Sequence, residues 1–519
     1  MNYFQLFAQS AATHPECLAI VDDAREFTYA QMMRESSRTA AWLRQLGLRS
    51  GDSLIVFAAN RAEHIFLHLA CAQIGVVFTP VHASFRAREV GYVLQSSRPK
   101  VAFVDAATID ILTEAIQQSD VSPKLVSFDP LLERPEVGSF LDGFPEQQQV
   151  TSEDLPSGTP LTILYTSGTT SMPKPVLRSH GADTWSVQNY VRGWNFEAGD
   201  RVYVPLSLAW AWGLTVMSMS ALASGATLFL DKSFNPVRAL AAIEKHRITT
   251  FAGSMSMYGM LLDVLQREQF QTSSLKKMFV GGEPRNEAMV AAAEAHFGQR
   301  LYEGYALSEC FPHLVTSPEH DVNAPVGSLG RRVAPEAQIK LVDPNGVEVG
   351  RGEVGQALIK SPGCMTEYLN EPDMTAERLT PEGWLRTGDL LREDENGYFF
   401  FAGRSTDMIV RGGANISPLE IEAALLEHPT VKDVAVVGIP DPVKGEQIVA
   451  LTVLRENEIV SEQTLLAFLE GALARYKVPQ RLIILEDIPV AASGKRSRKA
   501  LRELAIQILQ KTEARKHAD

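Results

Sequence analysis

Short apolar runs alternate with helix-like segments through most of the chain up to about residue 360, and this alternation limits the possible folds more than any other feature. Ser53 to Ala58 and Val101 to Val104 are short runs rich in strand-forming residues, whereas Tyr29 to Leu46 is typical of a helix. Strands and helices in alternation indicate βαβ units, in which helices cover the sheets. The sequence therefore predicts an α/β fold.

The pattern changes twice towards the C-terminus. From about Leu329 the strands become closely spaced, with turn signals at 343–346 and 394–397, which predicts a β-rich subdomain. After a polar crossing at 404–407, a compact α+β unit is expected. Its elements are predicted as helices at 418–427 and 462–474 and strands at 431–437 and 448–454. Because 519 residues are too many for one hydrophobic core, we expect two domains, 1–403 and 404–519.

Composition excludes several classes of protein. The chain is 45% hydrophobic and 21% charged, which is typical of an ordinary globular protein, and its net charge of −13 argues against non-specific nucleic-acid binding. The longest apolar stretch, 65–80, is interrupted by His68 and Gln73, so neither a signal peptide nor a membrane span is expected. The cysteines are scattered, without the spacing of a disulfide framework or a zinc site. A cytoplasmic location is therefore expected.

The segment from Leu164 to Lys174 has the composition of a phosphate-binding loop. Its glycine allows close approach of the backbone to an anion, its hydroxyl groups can donate hydrogen bonds, and its lysine adds charge. It does not match the P-loop pattern, because the lysine follows Pro173 and no helix start is signalled after it. Taken alone, a segment of this composition is more often an ordinary turn than a phosphate site.

Five further segments have unusual polar content within apolar surroundings. They are Gly281 to Pro284, Glu303 to Glu309, Trp384 to Asp389, Gly403–Arg404 leading to Arg411 through Glu420, and Ser493 to Lys495. With the loop at 164–174, their order and spacing resemble the adenylate-forming superfamily, which contains acyl- and aryl-CoA synthetases, adenylation domains of peptide synthetases, and luciferases. The resemblance is strongest to the acyl-CoA synthetase branch and covers essentially the whole chain.

The resemblance implies a large N-terminal domain of two α/β subdomains plus a β-barrel, and a small mobile α+β C-terminal domain. It also implies that a carboxylic acid attacks the α-phosphate of ATP, giving an acyl-adenylate and pyrophosphate, before a thiol displaces AMP. The expected cofactors are ATP and Mg²⁺, with coenzyme A as co-substrate.

The residues that the resemblance assigns to ATP fall into three groups. The phosphate loop comprises Thr166, Ser167, Gly168, Thr169, Thr170 and Lys174. The adenine side comprises Gly282, Glu283, Pro284 and Tyr305, the ribose contacts are Asp389 and Arg404, and Glu303 is assigned to the ATP site without a more specific role. The chain departs from the usual glycines at Ser171 and Pro175, and the proline stiffens the far end of the loop because it fixes φ.

The resemblance assigns the chemistry to three residues. Ser308 corresponds to the hydroxyl that contacts the α-phosphate, and Glu309 to the magnesium-associated carboxylate. Lys495 corresponds to the mobile lysine that bridges the acid carboxylate and the α-phosphate, where it would stabilise developing charge.

The acid pocket and the acceptor site are also assigned by resemblance. The pocket residues are Trp210, Trp212, Gly213, Ser254, Met255, Gly281 and Ala306; the CoA tunnel residues are Arg411, Gly412 and Gly413; the hinge is Thr406. Many relatives have an aromatic–histidine pair where this chain has Ala209–Trp210, so the histidine that often helps to guide the acid or the thiol is missing. Val410 and Thr406 also depart from the family pattern.

The expected activity is that of an ATP-dependent acid–CoA ligase. Two tryptophans favour an acid that is small, aromatic or of medium acyl length, and the absence of an aspartate around 211–219 argues against an amino acid. The expected partners are thus a small carboxylic acid and CoA. One alternative is a stand-alone adenylating enzyme that loads the phosphopantetheine of a carrier protein; a less favoured one is a non-catalytic binding protein on the same scaffold. A luciferase-type oxygenase is the least favoured.

Overall fold

The chain folds into two compact units. The computed structural model describes residues 2–23, 25–130, 137–140, 150, 152–166, 172–282, 285–411, 414–441, 443–489 and 497–516. The first unit comprises Met1–Ile339, Leu358–Arg386 and Gly397–Phe399, and the second comprises Lys340–Ala357, Thr387–Asn396 and Phe400–Asp519. The predicted division into 1–403 and 404–519 stays a prediction.

The strands, in chain order, are β1 (Leu18–Asp22), β2 (Arg25–Thr28), β3 (Ser53–Phe57), β4 (Val77–Val81), β5 (Val101–Val104), β6 (Lys124–Ser127), β7 (Gly138–Ser139), β8 (Pro160–Thr166), β9 (Lys174–Ser179), β10 (Arg201–Val204), β11 (Thr227–Leu230), β12 (Thr250–Gly253), β13 (Lys277–Val280), β14 (Leu301–Leu307), β15 (Cys310–Val315), β16 (Ser328–Arg332), β17 (Gln338–Val342), β18 (Val354–Lys360), β19 (Glu367–Tyr368), β20 (Leu385–Glu393), β21 (Phe399–Arg404), β22 (Ile409–Arg411), β23 (Ala414–Ile416), β24 (Val431–Asp441), β25 (Gly445–Leu454) and β26 (Arg481–Leu485).

The α-helices are α1 (Tyr3–Thr13), α2 (Tyr29–Gln45), α3 (Ala62–Ile74), α4 (Ala87–Ser97), α5 (Ile109–Gln117), α6 (His180–Gly193), α7 (Ser220–Ser224), α8 (Pro236–His246), α9 (Met255–Leu265), α10 (Glu287–Phe297), α11 (Pro372–Arg378), α12 (Pro418–Leu426), α13 (Glu462–Ala472) and α14 (Arg498–Lys516). A π-helix spans Trp212–Met219, and a 3-10 helix spans Arg475–Lys477. Among these described helices, none is long and apolar enough to cross a membrane.

Two mainly parallel sheets form the first unit. One has the strand order β16-β15-β14-β13-β12-β10-β11-β1-β2 and is parallel from β14 to β1. The other has the order β19-β9-β8-β4-β3-β5-β6-β7 and is parallel from β8 to β7. Every residue of β3, β4 and β5 is buried, as expected for parallel strands that helices cover on both faces.

The second unit has its own cores around alternating strand residues. Its strands include the neighbours β17-β18-β20-β21 and a sheet ordered β23-β22-β25-β24, with β26 parallel to β25. On one face of β24, Val434 and Val436 pack with α12 and α13. On the other face, Ala435 and Val437 pack with Leu501 of α14. Because side chains alternate between the two faces of a strand, successive residues of β24 lie in different hydrophobic cores.

The predicted α/β class is confirmed by these elements. The helix predicted from Tyr29 ends at Gln45, and the strand predicted at 101–104 has those bounds. The predicted C-terminal order of helix, strand, strand and helix is observed as α12, β24, β25 and α13. The β-rich stretch expected after about Leu329 contains β17, β18, β20 and β21.

Candidate active site

The carboxyl edge of the first sheet collects residues that the sequence assigned to the acid pocket. Gly253 at the end of β12 pairs with Val280 at the end of β13, and Val280 pairs with Glu303 on β14. Ser254 and Gly281, which follow these strands, therefore lie at the same edge. Ligands of open α/β sheets bind at the carboxyl ends of the strands, so this edge is a candidate binding site.

Trp212 covers two glycines at this edge. A Cβ atom added at Gly281 would lie 3.7 Å from Trp212 Cη2, and one added at Gly282 would lie 3.3 Å from Trp212 Cζ3. Gly282 also has φ +76°, which disfavours a side chain. Among the described residues, the indole Nε1 of Trp212 is buried without a hydrogen-bond partner. The indole thus packs against backbone, and no hydrogen bond from the described part of the chain orients it there.

Trp210 stacks on a histidine that the sequence did not indicate. The rings of Trp210 and His82 lie 4.8 Å apart at an interplanar angle of 16°. His82 directly follows β4, and the parallel register of β4 and β8 pairs Phe78 with Thr162. By that register His82 is level with Thr166. A histidine from the segment after β4 therefore lies beside Trp210.

The predicted phosphate loop connects β8 and β9. These strands form an antiparallel pair whose last register positions are Thr166 opposite Lys174 and Tyr165 opposite Pro175. Both ends of the loop are thereby held together at the strand ends. Pro175, which lacks an N–H donor, still accepts a hydrogen bond through its carbonyl from Leu369 N at 2.8 Å. The structure thus brings together two of the predicted phosphate contacts.

Ser308 and Glu309 form a two-residue turn between β14 and β15. Leu307 pairs with Cys310 across this hairpin, so the two predicted catalytic side chains lie at its tip. Met365 N donates to the carbonyl of Glu309 at 2.6 Å, and the hydroxyl of Tyr368 donates to Glu309 Oε1 at 2.6 Å. Burial, followed by the charge of Glu309, raises the pKa of Tyr368, so its phenol stays a neutral donor.

A buried arginine supports the same turn from β9. Arg178 pairs with Asp183 at 2.6 Å, and both side chains are fully buried. Its Nη1 donates to the carbonyl of Gly363 at 2.9 Å and lies 3.5 Å from the carbonyl of Ser308. Because a buried guanidinium needs both charge and hydrogen-bond partners, Arg178 holds these two segments together.

Comparison with known proteins decides the family. Residues 7–369 match the AMP-binding enzyme family, and residues 420–495 match the AMP-binding enzyme C-terminal domain. The chain belongs to the AMP-binding enzyme family. The predicted resemblance to the adenylate-forming superfamily is thereby confirmed.

The relatives of this AMP-binding enzyme match it along nearly its whole length. It is 32% identical to the indoleacetate–CoA ligase of Aromatoleum aromaticum over 97% of its own length and 98% of that protein. It is 30% identical to a feruloyl-CoA synthase of an Amycolatopsis species over 93% of its length and 95% of that protein.

Solved structures agree with the predicted fold of a large N-terminal and a small C-terminal domain. ATP-bound MatB from Rhodopseudomonas palustris has a TM-score of 0.88 at 28% identity, over 97% of this chain and 99% of that chain. The amide bond synthetase McbA from Marinactinospora thermotolerans has a TM-score of 0.87 at 26% identity, over 97% and 99% of the two chains.

Three of the predicted site residues of the AMP-binding enzyme lie on β14. Tyr305 is buried, Ala306 is exposed, and Glu303 is buried and pairs with Arg285 at 3.0 Å. Burial raises the pKa of Glu303 to about 7, although Arg285 acts in the opposite direction. Glu303 thus lies in an internal ion pair, which ties β14 to the residues after β13.

Three other pocket residues have structural contacts of their own. Ser254 caps α9, since its side chain accepts from Met257 N at 3.4 Å, and Met255 is buried in the core beneath that helix. Gly213 is required by close packing, because a Cβ atom there would lie 2.2 Å from the carbonyl oxygen of Ser207. These residues shape the edge of the sheet by fixing where the flanking helices begin.

The predicted ribose contacts meet within the second unit. Arg404 Nε lies 3.2 Å from Asp389 Oδ1, and Asp389 N donates to Thr387 Oγ1 at 3.0 Å. Ser405 N donates to the carbonyl of Gly388 at 2.9 Å, which ties the two segments together beside the pair. Next to it, Thr406 is exposed and donates to Asp407 Oδ1 at 3.3 Å.

A basic cavity in the second unit is lined by Arg411, one of the predicted CoA tunnel residues. It has a volume of about 360 Å³ and is lined by Arg411, Ala414, Lys444 and Tyr476. Arg411 also donates to the carbonyl of Tyr476 at 3.3 Å. Val410 is exposed, and its N–H donates to Glu446 Oε2 at 2.8 Å.

Several predicted site residues lie outside the described residues. They are Ser167, Gly168, Thr169, Thr170, Glu283, Pro284, Gly412, Gly413 and Lys495. Conversely, His82, Arg178 and Tyr368 lie at the site without having been predicted. For Arg178 a signal existed, since a lone arginine within an apolar strand needs a buried partner; for His82 and Tyr368 we find no local signal.

Proposed function

We propose that this enzyme is an ATP-dependent acid–CoA ligase. The observation that carries the proposal is that Lys174 and Glu309 both contact the side chain of Tyr368. Lys174 Nζ lies 5.5 Å from the Tyr368 ring centroid, and the hydroxyl of the same ring binds Glu309. A cation beside a carboxylate suits a polyphosphate that carries a divalent metal, since each group meets the opposite charge.

The donor set around Glu309 is compatible with magnesium. The hydroxyl of Tyr368 binds Oε1 of the Glu309 carboxylate. The second carboxylate oxygen, Oε2, is the type of ligand that hard cations such as Mg²⁺ prefer. Glu309 would hold the ion together with ATP phosphates. The ion would neutralise charge on those phosphates. Lys174, Thr166 and the loop between them would bind the β- and γ-phosphates, and Ser308 would contact the α-phosphate.

The proposed reaction has two steps. An oxygen of the acid attacks the α-phosphorus of ATP as the bond to pyrophosphate breaks, and Lys495 stabilises the charge that develops. The sulfur of CoA then attacks the acyl carbon as AMP leaves. Asp389 and Arg404 would hold the ribose, and we propose that residues 404–519 rotate about Thr406 between the steps.

The acid is proposed to be aromatic or of medium length. The indole of Trp212 packs against Gly281 and Gly282, and Trp210 is stacked on His82, so the proposed pocket has apolar aromatic walls. Such walls favour planar or aliphatic acids. The names of the relatives from Aromatoleum and Amycolatopsis support an aryl acid.

Free CoA is proposed as the acceptor. The basic cavity at Arg411, Lys444 and Tyr476 suits a phosphorylated nucleotide, because two cations and an aromatic ring line it. A carrier-protein phosphopantetheine is the alternative, and the likeness to an amide bond synthetase adds an amine as an acceptor to be tested.

Pyrophosphate release from ATP and Mg²⁺ tests the proposal over a panel of aliphatic, aryl and dicarboxylic acids. We expect acid-dependent release, with acyl-CoA and AMP appearing when CoA is present. Parallel reactions contain a phosphopantetheinylated carrier protein or an amine, and product in those alone would favour the alternatives. Glu309→Gln should abolish release. Glu371→Gln is the control, because Glu371 likewise accepts a tyrosine hydroxyl, from Tyr92 at 3.0 Å. Absence of release with every acid would contradict the proposal.

A further inference from the structure

Tyr368 joins two parts of the proposed ATP site that lie far apart in the sequence. Its side chain is 1% exposed. The hydroxyl donates to Glu309 Oε1 at 2.6 Å, and the face of the ring is 5.5 Å from Lys174 Nζ, a distance at which a cation is attracted to an aromatic face. The side chain of Tyr368 therefore contacts both Lys174, at the end of the predicted phosphate loop, and Glu309, the proposed metal ligand.

The backbone of Tyr368 is fixed on both sides. On β19, Tyr368 pairs with Val176 of β9, and the next residue, Leu369, donates to the carbonyl of Pro175 at 2.8 Å. The N–H of Tyr368 donates to Thr375 Oγ1 at 3.0 Å. With its ring also buried, the hydroxyl is held at a defined place, as a group that orients another must be.

The carboxylate of Glu309, at the tip of a hairpin turn, needs a hydrogen-bond donor to hold it in one orientation. The last torsion of a glutamate side chain is broad, so its oxygens do not take one orientation unaided. A donor that holds Oε1 fixes the plane of the carboxylate and thereby the direction of Oε2. Lys174 cannot replace this donor at Glu309, because it lies on the ring face and not at the hydroxyl.

We propose that Tyr368 is a positioning residue that orients the carboxylate of Glu309 towards the metal of bound ATP. This inference rests on the proposed function, in which Glu309 binds magnesium. The hydroxyl makes no contact with substrate in this proposal. Its effect is transmitted through Glu309 and is therefore specific to the metal-bound nucleotide.

The test measures binding of ATP by calorimetry, once with Mg²⁺ and once with EDTA. Tyr368→Phe removes the hydroxyl and keeps the ring beneath Lys174. We expect ATP to bind about 10- to 100-fold more weakly in Mg²⁺, as is typical when the partner of a metal ligand is removed, and to bind unchanged in EDTA. Tyr92→Phe is the matched control, because it removes a hydroxyl from Glu371 in the same unit, and neither affinity should change.

Two further variants separate the hydroxyl's role from stability. Glu309→Asp withdraws the carboxylate from Tyr368 by one methylene and keeps its charge, and should show the same Mg²⁺-specific weakening even if Tyr368→Phe folds poorly. In a Glu309→Gln background, Tyr368→Phe should cause no further loss of Mg²⁺-dependent affinity, because the two residues act as one unit.

The outcomes distinguish this inference from the proposed function. Equal weakening of ATP binding with and without Mg²⁺, or no weakening in either, would overturn the role of Tyr368 while the wild-type protein still bound Mg²⁺-ATP more tightly than free ATP. If the wild-type protein bound ATP equally in both conditions, the metal role of Glu309 would be wrong, and the role of Tyr368 would be wrong with it.

Discussion

Replacing Trp212 with alanine should open the proposed acid pocket from the side that the indole now fills. The six-membered ring of the indole lies over Gly281 and Gly282, where added Cβ atoms would come within 3.7 and 3.3 Å of it. Gly281 and Gly282 have no side chains that could move into the vacated space. Truncation of Trp212 should therefore leave room for substrate.

The expected change in selectivity follows from the area that the larger acid can bury. Each buried methylene contributes about 0.8 kcal/mol, or about fourfold in an equilibrium or rate. Acids two or three methylenes longer than the preferred wild-type substrate should thus gain about 15- to 60-fold in relative kcat/KM. The original substrate should lose activity, since it no longer fills the pocket.

The stability of the Trp212→Ala variant distinguishes a pocket from a core position. Truncating a fully buried tryptophan costs about 3–5 kcal/mol. Trp212 is only half-buried, and its Nε1 has no described partner to lose, so we expect a cost at or below about 3 kcal/mol. The free energy of unfolding is measured in urea, and kcat/KM by pyrophosphate release over a homologous series of acids.

Trp194 offers a matched control. It is 2% exposed, stacks on Phe279 at 4.1 Å, and its Nε1 likewise has no partner among the described residues. Trp194→Phe should lower stability and leave the order of acids unchanged. If Trp212→Ala lost stability but kept the wild-type order of acids, Trp212 would be a core residue and the pocket interpretation would be wrong.

Three further predictions concern the lysine, the buried histidines and Arg178. Lys495→Ala should slow adenylation by about 10²–10³ and spare thioester formation from supplied acyl-adenylate; equal loss in both half-reactions would refute its proposed role. Burial lowers the pKa of His68 and of His313 to about 4, so the unfolded chain binds protons that the folded chain does not. Stability should therefore be fully present above about pH 6.5 and fall as the pH drops towards 4, by about 2 kcal/mol per histidine at pH 5; urea unfolding at pH 7 and 5 measures this, and an unchanged free energy would contradict it. Arg178→Met should cost about 3–5 kcal/mol by leaving Asp183 buried without its partner, again by urea unfolding, and a loss below about 1 kcal/mol would show that the pair is dispensable.

Local patterns predicted the fold well where an element is long or apolar. Periodicity identified α2, and runs of apolar residues identified β3 and β5, because burial on both faces of a parallel strand requires such runs. The two-residue strand β19 carries no such pattern. It exists because Glu367 and Tyr368 pair with β9, and pairing between distant segments leaves no periodic signal in either.

The residues of the candidate site likewise fall into those that the sequence predicts and those that it does not. Glu309 was identified from a motif, whereas Tyr368, which binds it, lies 59 residues further along the chain. His82 follows β4 and Trp210 follows β10, which belong to different sheets, so no local pattern links the two rings that stack on each other. Residues that contact substrate recur as motifs, but the residues that hold them can come from any neighbouring segment, so single-sequence reasoning finds the former and misses the latter.

The side chains and backbone groups that contact the turn at Ser308 and Glu309 come from β9, which follows the predicted phosphate loop, and from the segment around β19, which pairs with β9. Arg178 lies on β9 and approaches the carbonyl of Ser308, Met365 binds the carbonyl of Glu309, and Tyr368 binds its carboxylate. Because β19 pairs with β9, a shift of β9 must displace these groups together. Phosphate binding at the hairpin and metal binding at Glu309 are therefore expected to be energetically coupled, and a substitution on β9 that weakens ATP binding cannot be assigned to lost phosphate contacts until its effect in EDTA is known.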